Sequence, residues 1–345
     1  MTVVVTLLHV GLGGSHAPED ALASTPPDAS TLTLSWVGDI TPGSAYGLPP
    51  DNGGQMFLAV KDLIGSADLA IGNLEGTLSA GGTSKCADPA GSSCFAFQAP
   101  VENAAALADA GFDLMNLANN HALDFGSSGQ AQTIQALDAA HIAHAGLPGS
   151  ITHRDVNGLR VAVIGFAPYP WATSLHDIAA AQQLVTAAAQ DADVVVVLMH
   201  AGAEGADQTH TPVGVEVAYG EDRGDTRGFA HAVIDAGADV VLGSGPHVVR
   251  GVERYRDRLI AYSLGNFAGY DNFATGGALS LSGLLEMRLA ADGRFVDGRW
   301  HSLVLDDHGQ PSPDPSGLSA QLVDHLSRED FPAAFVMDGT GRMHS

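Results

Sequence analysis

Side chains that bind metal ions or move protons recur at the ends of apolar stretches along this chain. Five such stretches run directly into acidic, amide or imidazole groups, and these groups are Asp39, Asn73 with Glu75, Asn120 with His121, His200 and His247. Oxygen and nitrogen donors in this mixture suit zinc, manganese or iron ions. Cysteine is absent from the set, which argues against a purely structural zinc site. Each residue alone is compatible with an ordinary core histidine or loop carboxylate, but five in succession predict one common site.

The stretch 111–126 shows this pattern most clearly. Residues 112–118 are typical of a short apolar strand, and the hydrophobicity stops at Asn119, Asn120 and His121, with Asp124 three residues further on. A turn would account for the two asparagines, but a turn does not require an adjacent histidine and aspartate. The pattern therefore predicts polar side chains on the rim of a sheet, where open α/β proteins usually carry their sites.

Alternating strands and helices would position these groups. Strands are predicted at 31–37, 67–71, 112–118, 160–166, 193–199, 238–242 and 258–264. Helices are predicted at 52–64, 101–110, 127–140 (capped at its serine-rich start), 179–190, 229–236 and 318–326. A hairpin is predicted from 280–289 and 294–304, and a proline-rich link at 310–315. The carboxyl ends of strands in a βαβ-type sheet share one edge, so the five polar positions can converge there.

The composition limits the class of protein. The chain has 345 residues, 45% of them hydrophobic, which is typical of a folded globular protein. The net charge is −24, from 39 acidic and 15 basic residues. This charge argues against nucleic-acid binding and against docking on an anionic membrane, and it suits metal cations. Solubility or a salty habitat would explain the charge equally well. We find no integral membrane segment in the sequence.

Two features predict an oxidising compartment. Residues 2–13 resemble the apolar part of a secretory signal, and residues 1–30 are interpreted as a signal-peptide remnant and flexible leader before one domain at 31–345. A buried strand at 3–10 is the competing interpretation. Cys86 and Cys94 close a short loop rich in glycine and serine, which favours a disulfide over a metal knuckle, with two free thiols as the alternative. The expected location is extracellular or in the cell envelope.

A long connection, residues 204–226, follows the His200 strand end. A segment of this length between adjacent elements often forms a lid or a specificity loop, and a solvated surface loop is the alternative. It supplies His210, Glu216, Asp222 and Arg223. Arg250, just after His247, is the cation that we expect to meet an anionic substrate, because guanidinium groups suit phosphate and carboxylate. An ordinary surface ion pair is the other interpretation of Arg250.

Six motifs, in order, resemble those of the bacterial CapA family, which is associated with poly-γ-glutamate capsule synthesis and belongs to the calcineurin-like metallophosphoesterase superfamily. The motifs are residues 38–39, 73–75, 119–121 with Asp124 and Gly126, 200–204, 243–247 and 262–267. The resemblance implies an α/β fold, specifically a four-layer α/β/β/α metallophosphoesterase-like sandwich. It also implies one or two divalent metal ions (Mn, Fe or Zn) at the sheet edge.

The resemblance further implies a role for each residue of the rim. The implied metal ligands are Asp39, Asn73, Glu75, Asn120, His200 and His247. The implied catalytic group contains His121 as acid or electrostatic stabiliser. It also contains Asp124 and Glu204, as carboxylates that orient the imidazoles of His200 and His247. Arg250, His210 and Asn266 are the expected substrate-binding residues. Two positions depart from the superfamily pattern, because Thr41 and Gly245 stand where it has histidines.

The leading hypothesis is a secreted, metal-dependent hydrolase of a phosphoester or a γ-glutamyl amide. The sequence shows neither a Gly-x-Ser-x-Gly motif nor a Gly-x-Gly-x-x-Gly motif after a strand, so a serine nucleophile and a dinucleotide cofactor are not supported. The expected partners are an anionic polymer or phosphoester substrate and the capsule synthesis machinery. The second hypothesis is a non-catalytic accessory protein that binds or helps to export polyglutamate or another envelope polymer. The third is a metal-binding envelope protein that has lost its activity.

Overall fold

The structure, a computed structural model, describes residues 31–86 and 94–344. The predicted signal remnant and leader lie outside the described residues. The strands within the described part are β1 Thr31–Ile40, β2 Leu69–Leu74, β3 Thr77–Leu78, β4 Gln98–Ala99, β5 Leu114–Asn116, β6 Ala143–Ala145, β7 Thr152–Val156, β8 Leu159–Ala167, β9 Thr173–Ser174, β10 Val194–His200, β11 Val217–Ala218, β12 Glu221–Asp222, β13 Val240–Ser244, β14 Val252–Tyr255, β15 Arg258–Ala261, β16 Asn266–Ala268, β17 Leu281–Ala290, β18 Phe295–Leu305, β19 Pro311–Pro313 and β20 Arg342–His344. The α-helices are α1 Lys61–Ile64, α2 Asn103–Ala110, α3 Gly126–Ala139, α4 Ile178–Asp191, α5 Thr226–Asp235 and α6 Leu318–Asp330.

Two large sheets contain most of these strands. The first sheet has the order β19-β18-β17-β1-β2-β5-β6, with β16 paired to β1 and β20 paired to β18. The second has the order β14-β15-β13-β10-β8-β7, with β9 paired to β8. The central pairs β1–β2, β2–β5, β8–β10 and β10–β13 are parallel. Their carboxyl ends therefore lie along one edge of each sheet.

Alternation along the strands builds the layers. In β1, Leu34 and Trp36 face a core that also contains Val196 and Leu242 of the second sheet, so this core lies between the sheets. Val37 and Ile40 of the same strand instead contact a core formed with α2 and α3. The opposite face of the second sheet packs against α4 and α5. The result is the α/β/β/α sandwich that the sequence predicted.

A buried hydrogen bond joins the two sheets close to their shared edge. The indole Nε1 of Trp36 in β1 donates to the carbonyl oxygen of Gly243 in β13 at 3.1 Å. Gly38 follows in the same strand, and a Cβ there would lie 1.9 Å from the carbonyl oxygen of Gly265. This close approach requires glycine, because any side chain would displace the backbone before β16. The ends of β1, β13 and β16 are thereby held together.

Most predicted elements are confirmed, with three corrections. The helix predicted at 52–64 is α-helical only over Lys61–Ile64, because Asp51 and Asn52 adopt left-handed backbone angles and turns follow them. The apolar side chains at 56, 57, 60 and 64 are nevertheless buried. The serine-rich start of α3 provides no side-chain cap, since its N-cap residue is Phe125. The proline-rich link contains β19, which pairs with β18.

Two further expectations concern the compartment. Cys86 and Cys94 form a disulfide, with Cα atoms 5.7 Å apart, which confirms the predicted pairing. Within the described ranges, we find no helix of sufficient length and hydrophobicity to cross a membrane.

Candidate metal centre

The structure brings the polar strand ends together. Asp39 is the penultimate residue of β1, Glu75 follows β2, His200 ends β10, and His247 lies three residues after β13. Asp39, Glu75 and His247 each offer a ligand atom, and these three atoms lie within 4.8 Å of one another. The convergence predicted from strand ends is therefore observed for these residues.

Glu75 lies at the centre of the cluster. Its carboxylate is fully buried, and neither oxygen has a hydrogen-bond partner among the described residues. Three imidazole Nε2 atoms surround its Oε1, at 3.7 Å (His200), 3.8 Å (His247) and 3.9 Å (His121). These distances are too long for hydrogen bonds. They approach the roughly 3.4 Å that separates two ligands of one tetrahedral ion with bonds of about 2.1 Å.

Asp39 is held by contacts to both of its carboxylate oxygens. Oδ1 accepts a hydrogen bond from Asn73 Nδ2 at 2.8 Å, and it lies 3.8 Å from Nδ1 of His200. Oδ2 lies 3.1 Å from Nδ1 of His247 and accepts a longer bond from the backbone of Gly245 at 3.3 Å. Asp39 thus faces both imidazoles.

Asn73 positions Asp39, because a chain of amides fixes its orientation. The backbone of Ala118 fixes the Asn116 amide, since it donates to Oδ1 at 3.2 Å and accepts from Nδ2 at 3.1 Å. Asn116 Nδ2 then donates to Asn73 Oδ1 at 3.0 Å, and Asn119 Nδ2 donates to the same oxygen at 3.3 Å. The Asn73 oxygen is therefore committed to neighbouring amides and turned from the cluster. The expectation that Asn73 is a metal ligand stays a prediction, and in this geometry Asn73 instead donates to Asp39.

The two histidine ligand candidates have different surroundings. His200 is fully buried; its Nδ1 lies 3.1 Å from the Ser244 hydroxyl, and its Nε2 has no hydrogen-bond partner in the described chain. His247 adopts a left-handed backbone angle, with φ of 60°. Its Nδ1 lies 2.9 Å from Oδ1 of Asn266, so Asn266 orients this ring from a buried position. Both Nε2 atoms consequently point towards Glu75.

The protonation of the cluster follows from burial and close charges. Burial raises the pKa of Glu75 well above its usual range, and the nearby Asp39 adds to this effect. Burial opposes a charged His247, but Glu75 and Asp39 outweigh it and raise the pKa of this imidazole to about 10. Burial also lowers the pKa of His200 well below its usual value, with partial opposition from Asp39. Protons on such groups are what a divalent cation would replace on binding.

His121 and Asp124 form a hydrogen-bonded pair beside the cluster. The Nδ1 of His121 lies 2.7 Å from Oδ2 of Asp124, which leaves Nε2 facing Glu75. Phe97 packs against the imidazole at 4.3 Å between ring centroids. Burial lowers the pKa of His121; Asp124 raises it, and Lys85 lowers it further. Asp124 therefore orients His121, and not the imidazoles of His200 or His247 for which the resemblance implied it.

Lys85 was not identified from the sequence. Its ammonium lies 2.7 Å from Oδ1 of Asp124 and 3.3 Å from Nδ1 of His121, and it donates to the Asn120 carbonyl at 3.2 Å. One signal was available, because Lys85 is one of only two lysines and immediately precedes Cys86. The side chain of Asn120 offers a free acceptor, since its Oδ1 is buried without a hydrogen-bond partner in the part of the chain described here.

Glu204 borders the cluster, but it is paired with Arg223. Its Oε2 lies 3.9 Å from Nε2 of His247, and its Oε1 accepts a hydrogen bond from Nη1 of Arg223. Arg223 is fully buried. The sequence placed Arg223 in a long loop without assigning it to the site.

Arg250 and His210, the other two residues predicted to bind substrate, have partners elsewhere in the chain. Arg250 is buried and forms two hydrogen bonds with Glu216, at 2.7 and 3.1 Å, and others with backbone carbonyls. Its guanidinium is committed to holding the 204–226 segment, so it is not available to a substrate. His210 is on the surface, where its Nδ1 lies 2.8 Å from Asp330 at the end of α6. The burial of Arg250 excludes the surface ion pair considered for it, and the substrate role of His210 stays a prediction.

The two departures from the superfamily pattern are adjacent to the cluster. Thr41 is buried, and its hydroxyl has no hydrogen-bond partner among the described residues. Gly245 has φ of 113°, and a Cβ there would lie 3.3 Å from Nε2 of His200. Its backbone amide contacts Asp39 in place of an imidazole. The donors present nevertheless fit a divalent cation, because both Glu75 oxygens, Nε2 of His200 and Oδ1 of Asn120 are buried without a hydrogen-bond partner among the described residues.

Known proteins resemble this chain in sequence. A family model described as "Bacterial capsule synthesis protein PGA_cap" matches residues 33–271. "PGA biosynthesis protein CapA" of Bacillus subtilis (strain 168) is 29% identical over 335 residues, covering 89% of this chain and 81% of the relative. "Capsule biosynthesis protein CapA" of Bacillus anthracis is 30% identical over 263 residues, covering 68% of this chain but only 59% of the relative.

Solved structures with similar chains were also found. A 5'-nucleotidase precursor from Thermus thermophilus aligns with a TM-score of 0.46 and 16% identity, over 87% of this chain and 59% of that chain. The Haemophilus influenzae NAD nucleotidase aligns with a TM-score of 0.42 and 13% identity, over 92% of this chain and 58% of that chain.

Proposed function

This chain belongs to the bacterial capsule synthesis family PGA_cap, and from that premise we propose that its strand-end cluster is a divalent-metal centre with hydrolase activity. The observation that carries the proposal is Glu75, a buried carboxylate with no hydrogen-bond partner in the described chain and three imidazole nitrogens at 3.7 to 3.9 Å. An arrangement of this kind is costly without a cation, because burial of an unpaired charge is strongly unfavourable. Asp39, Glu75 and His247 would hold one ion. His200 and Asn120 would complete this site or hold a second ion.

A bound ion of this type supplies Lewis acidity, which polarises the scissile group and lowers the pKa of water. The residues of the chain provide positioning and proton transfer. His121 would donate the proton on Nε2 to the departing oxygen or nitrogen as its bond to phosphorus or carbon breaks. Asp124 holds the opposite ring nitrogen and so presents Nε2 to the cluster. General acid catalysis of this kind contributes about 10²- to 10⁴-fold.

The substrate class is a phosphoester or the γ-glutamyl amide of an envelope polymer. The relative from Bacillus subtilis is named as a PGA biosynthesis protein, which supports a place in capsule synthesis for this chain. The disulfide between Cys86 and Cys94 supports an extracellular or envelope location. We further propose that residues 31–345 form one domain.

Metal analysis combined with turnover tests the proposal. We expect stoichiometric Mn, Fe or Zn in purified protein, hydrolysis of a generic phosphodiester or of poly-γ-glutamate, and loss of metal in Glu75→Gln. The matched control is Glu102→Gln, an exposed glutamate at the start of α2. Wild-type protein that retains no metal after reconstitution would refute the metal centre.

A non-catalytic role in the same family has one specific observation in its favour. Gly245 provides a backbone amide, and Thr41 a hydroxyl, where the superfamily pattern has imidazoles. A centre with fewer nitrogen ligands would bind an ion and an anionic polymer without cleaving the polymer. Stoichiometric metal, binding of poly-γ-glutamate and no turnover on either substrate would favour this accessory function over the hydrolase.

A further inference from the structure

We propose that the Nε–Nη2 edge of Arg223 is the oxyanion-binding group of this site, and that it accepts a phosphate or carboxylate beside the metal centre. The inference rests on the proposed function for the location of the centre. The sequence gave the anion-binding role to Arg250, and this inference assigns that role to Arg223 instead.

The hydrogen bonds of the two buried arginines differ. All three guanidinium nitrogens of Arg250 donate, to Glu216 and to the carbonyls of Gln208 and Ala203. Arg223 is equally buried, with 1% of its surface exposed, but only its Nη1 has a partner, Glu204. Its Nε and Nη2 have no hydrogen-bond partner among the described residues. A buried donor without a partner costs about 1–3 kcal/mol, so a ligand with two acceptors would relieve two such costs.

The free edge has the geometry of an oxyanion receptor. The N–H groups of Nε and Nη2 are parallel and coplanar, and this fork matches two oxygens of one carboxylate or phosphate. Glu204 contacts the guanidinium at Nη1 only, so it does not occupy the fork. An ammonium group could retain the charge here but could not reproduce the two parallel donors.

The backbone holds Arg223 in place. Its amide donates to the Glu216 carbonyl at 2.9 Å, and its carbonyl accepts from the Gly202 amide at 3.0 Å. Glu216 is itself fixed by the bidentate pair with Arg250. The ring of Tyr169 lies 5.9 Å from the guanidinium carbon. The position of the free edge is thus set before any ligand arrives, which reduces the entropic cost of binding.

A single carboxylate, that of Glu204, lies between Arg223 and the candidate metal ligand His247. Glu204 bridges the two, because its Oε1 contacts Arg223 while its Oε2 lies 3.9 Å from His247. An oxyanion adjacent to the centre would therefore meet a cation on this side.

The hairpin of β11 and β12 borders the guanidinium of Arg223. Glu221 of this hairpin lies 4.0 Å from Nη1 of Arg223, and its carboxylate accepts a hydrogen bond from the Tyr169 hydroxyl at 3.2 Å. Arg223 has only 1% of its surface exposed, so the space beside its guanidinium is confined. A small probe is therefore the suitable first test.

The test measures binding of inorganic phosphate and of glutarate by calorimetry, with metal-loaded and with chelator-treated protein. Arg223→Lys keeps the charge but removes the fork, and we expect about a 10- to 100-fold loss of affinity for the probe that wild-type protein binds. Arg227→Lys is the control, because Arg227 packs over Phe331 and donates to the Asp330 carbonyl. It should bind as wild type does. Preference for phosphate or for glutarate distinguishes the two sources of the oxyanion.

Glu204→Gln separates anion binding from a structural role. Removal of this negative charge should strengthen binding if the free edge of Arg223 receives the anion. If Arg223 serves only to hold Glu204, neither substitution will change affinity for the probes. Equal binding by wild type and Arg223→Lys, or no binding of either probe by wild type, would overturn the proposal. Unfolding midpoints of all variants show whether each is folded.

This experiment also distinguishes failure of the inference from failure of the proposed function. Phosphate or glutarate binding that depends on Arg223, in protein without turnover, would support the anion site and count against the hydrolase. Turnover that is unchanged in Arg223→Lys would support the hydrolase and contradict the assignment of Arg223.

Discussion

Individual side chains at the rim divide into groups that face the cluster and groups that orient them. Glu75 and His200 present atoms without hydrogen-bond partners among the described residues, whereas Asn73, Asp124 and Asn266 have their polar atoms committed to neighbours. This division cannot be read from residue type, since an asparagine oxygen and a carboxylate oxygen are both good ligands. It depends on which neighbours the fold supplies.

Substitution of His121 tests its assignment as proton donor. We expect His121→Ala to lower kcat by about 10²- to 10⁴-fold, because the departing group loses its general acid. Metal content should remain near that of wild type, because Asp39, Glu75 and His247 still offer ligand atoms within 4.8 Å of one another. Steady-state kinetics and metal analysis of the same preparation provide the measurement. Parallel loss of metal and activity would instead make His121 a ligand.

The contact between Lys85 and His121 leads to a prediction about the pH dependence of the reaction rate. Burial lowers the pKa of His121, and the ammonium of Lys85 lowers it further. A general acid works in its protonated form, so its pKa sets the alkaline limb of the rate profile. Lys85→Met should raise the pKa of His121 and move the alkaline limb to higher pH. An alkaline limb that stays in place, or moves to lower pH, would contradict the assignment of His121 as the acid.

At the scale of elements, the sequence predicted the strands well and their connections less well. Apolar runs such as β10 and the alternation in β17 and β18 are strong local signals. The ends of these strands predicted where Asp39, Glu75, His200 and His247 would meet. The roles of Arg223 and Arg250 could not be predicted, because their partners come from residues 203–216, whose path depends on tertiary contacts. The helix predicted at 52–64 is too long, because turns bury the same apolar side chains that a helix would have buried.

The pair of Arg250 with Glu216 should stabilise the segment after β10. Arg250→Met leaves Glu216 buried without its guanidinium, and breaking a buried pair of this kind costs about 3–5 kcal/mol. The control is Arg254→Met, whose guanidinium forms an exposed pair with Asp257 and should cost no more than about 1 kcal/mol. Urea unfolding followed by fluorescence measures both. Equal costs for the two variants would show that the Glu216 pair does not anchor the segment.

His301 in β18 predicts a pH dependence of stability. Burial, with help from Arg299, lowers the pKa of this imidazole to about 4, and the Glu286 carboxylate lies 3.7 Å away. Between pH 6.5 and 4 the unfolded chain therefore binds more protons at this position than the folded chain. Its contribution to stability is present above pH 6.5 and is lost as the pH falls towards 4. His301→Gln should lose less stability than wild type over this interval, as measured by urea unfolding at each pH.

The whole molecule is organised around a core that belongs to both sheets. Leu34, Trp36 and Trp300 of the first sheet share one apolar cluster with Val196 and Leu242 of the second. Neither sheet could bury this face alone. Composition and alternation predicted the α/β class, but the crossing from one sheet to the other depends on pairings such as Trp36 with Gly243, over 207 residues of sequence separation.

This shared core predicts joint unfolding of the two halves. A fragment of residues 31–345 should unfold in one transition, with the same midpoint by far-UV circular dichroism and by tryptophan fluorescence, because Trp36 and Trp300 lie in the shared core. Two separated transitions would contradict a single domain. The full chain serves as the control, and it should show the same midpoint.

The amide chain that ends at Asn73 restricts which side chain position 73 can carry. An aspartate at position 73 would place an oxygen 2.8 Å from Oδ1 of Asp39, where an N–H group now donates. The two carboxylates would repel each other unless a cation lay between them, and the Asn116 and Asn119 amides would have to adjust as well. Asn73→Asp should therefore be tolerated only in protein that holds a cation between positions 39 and 73.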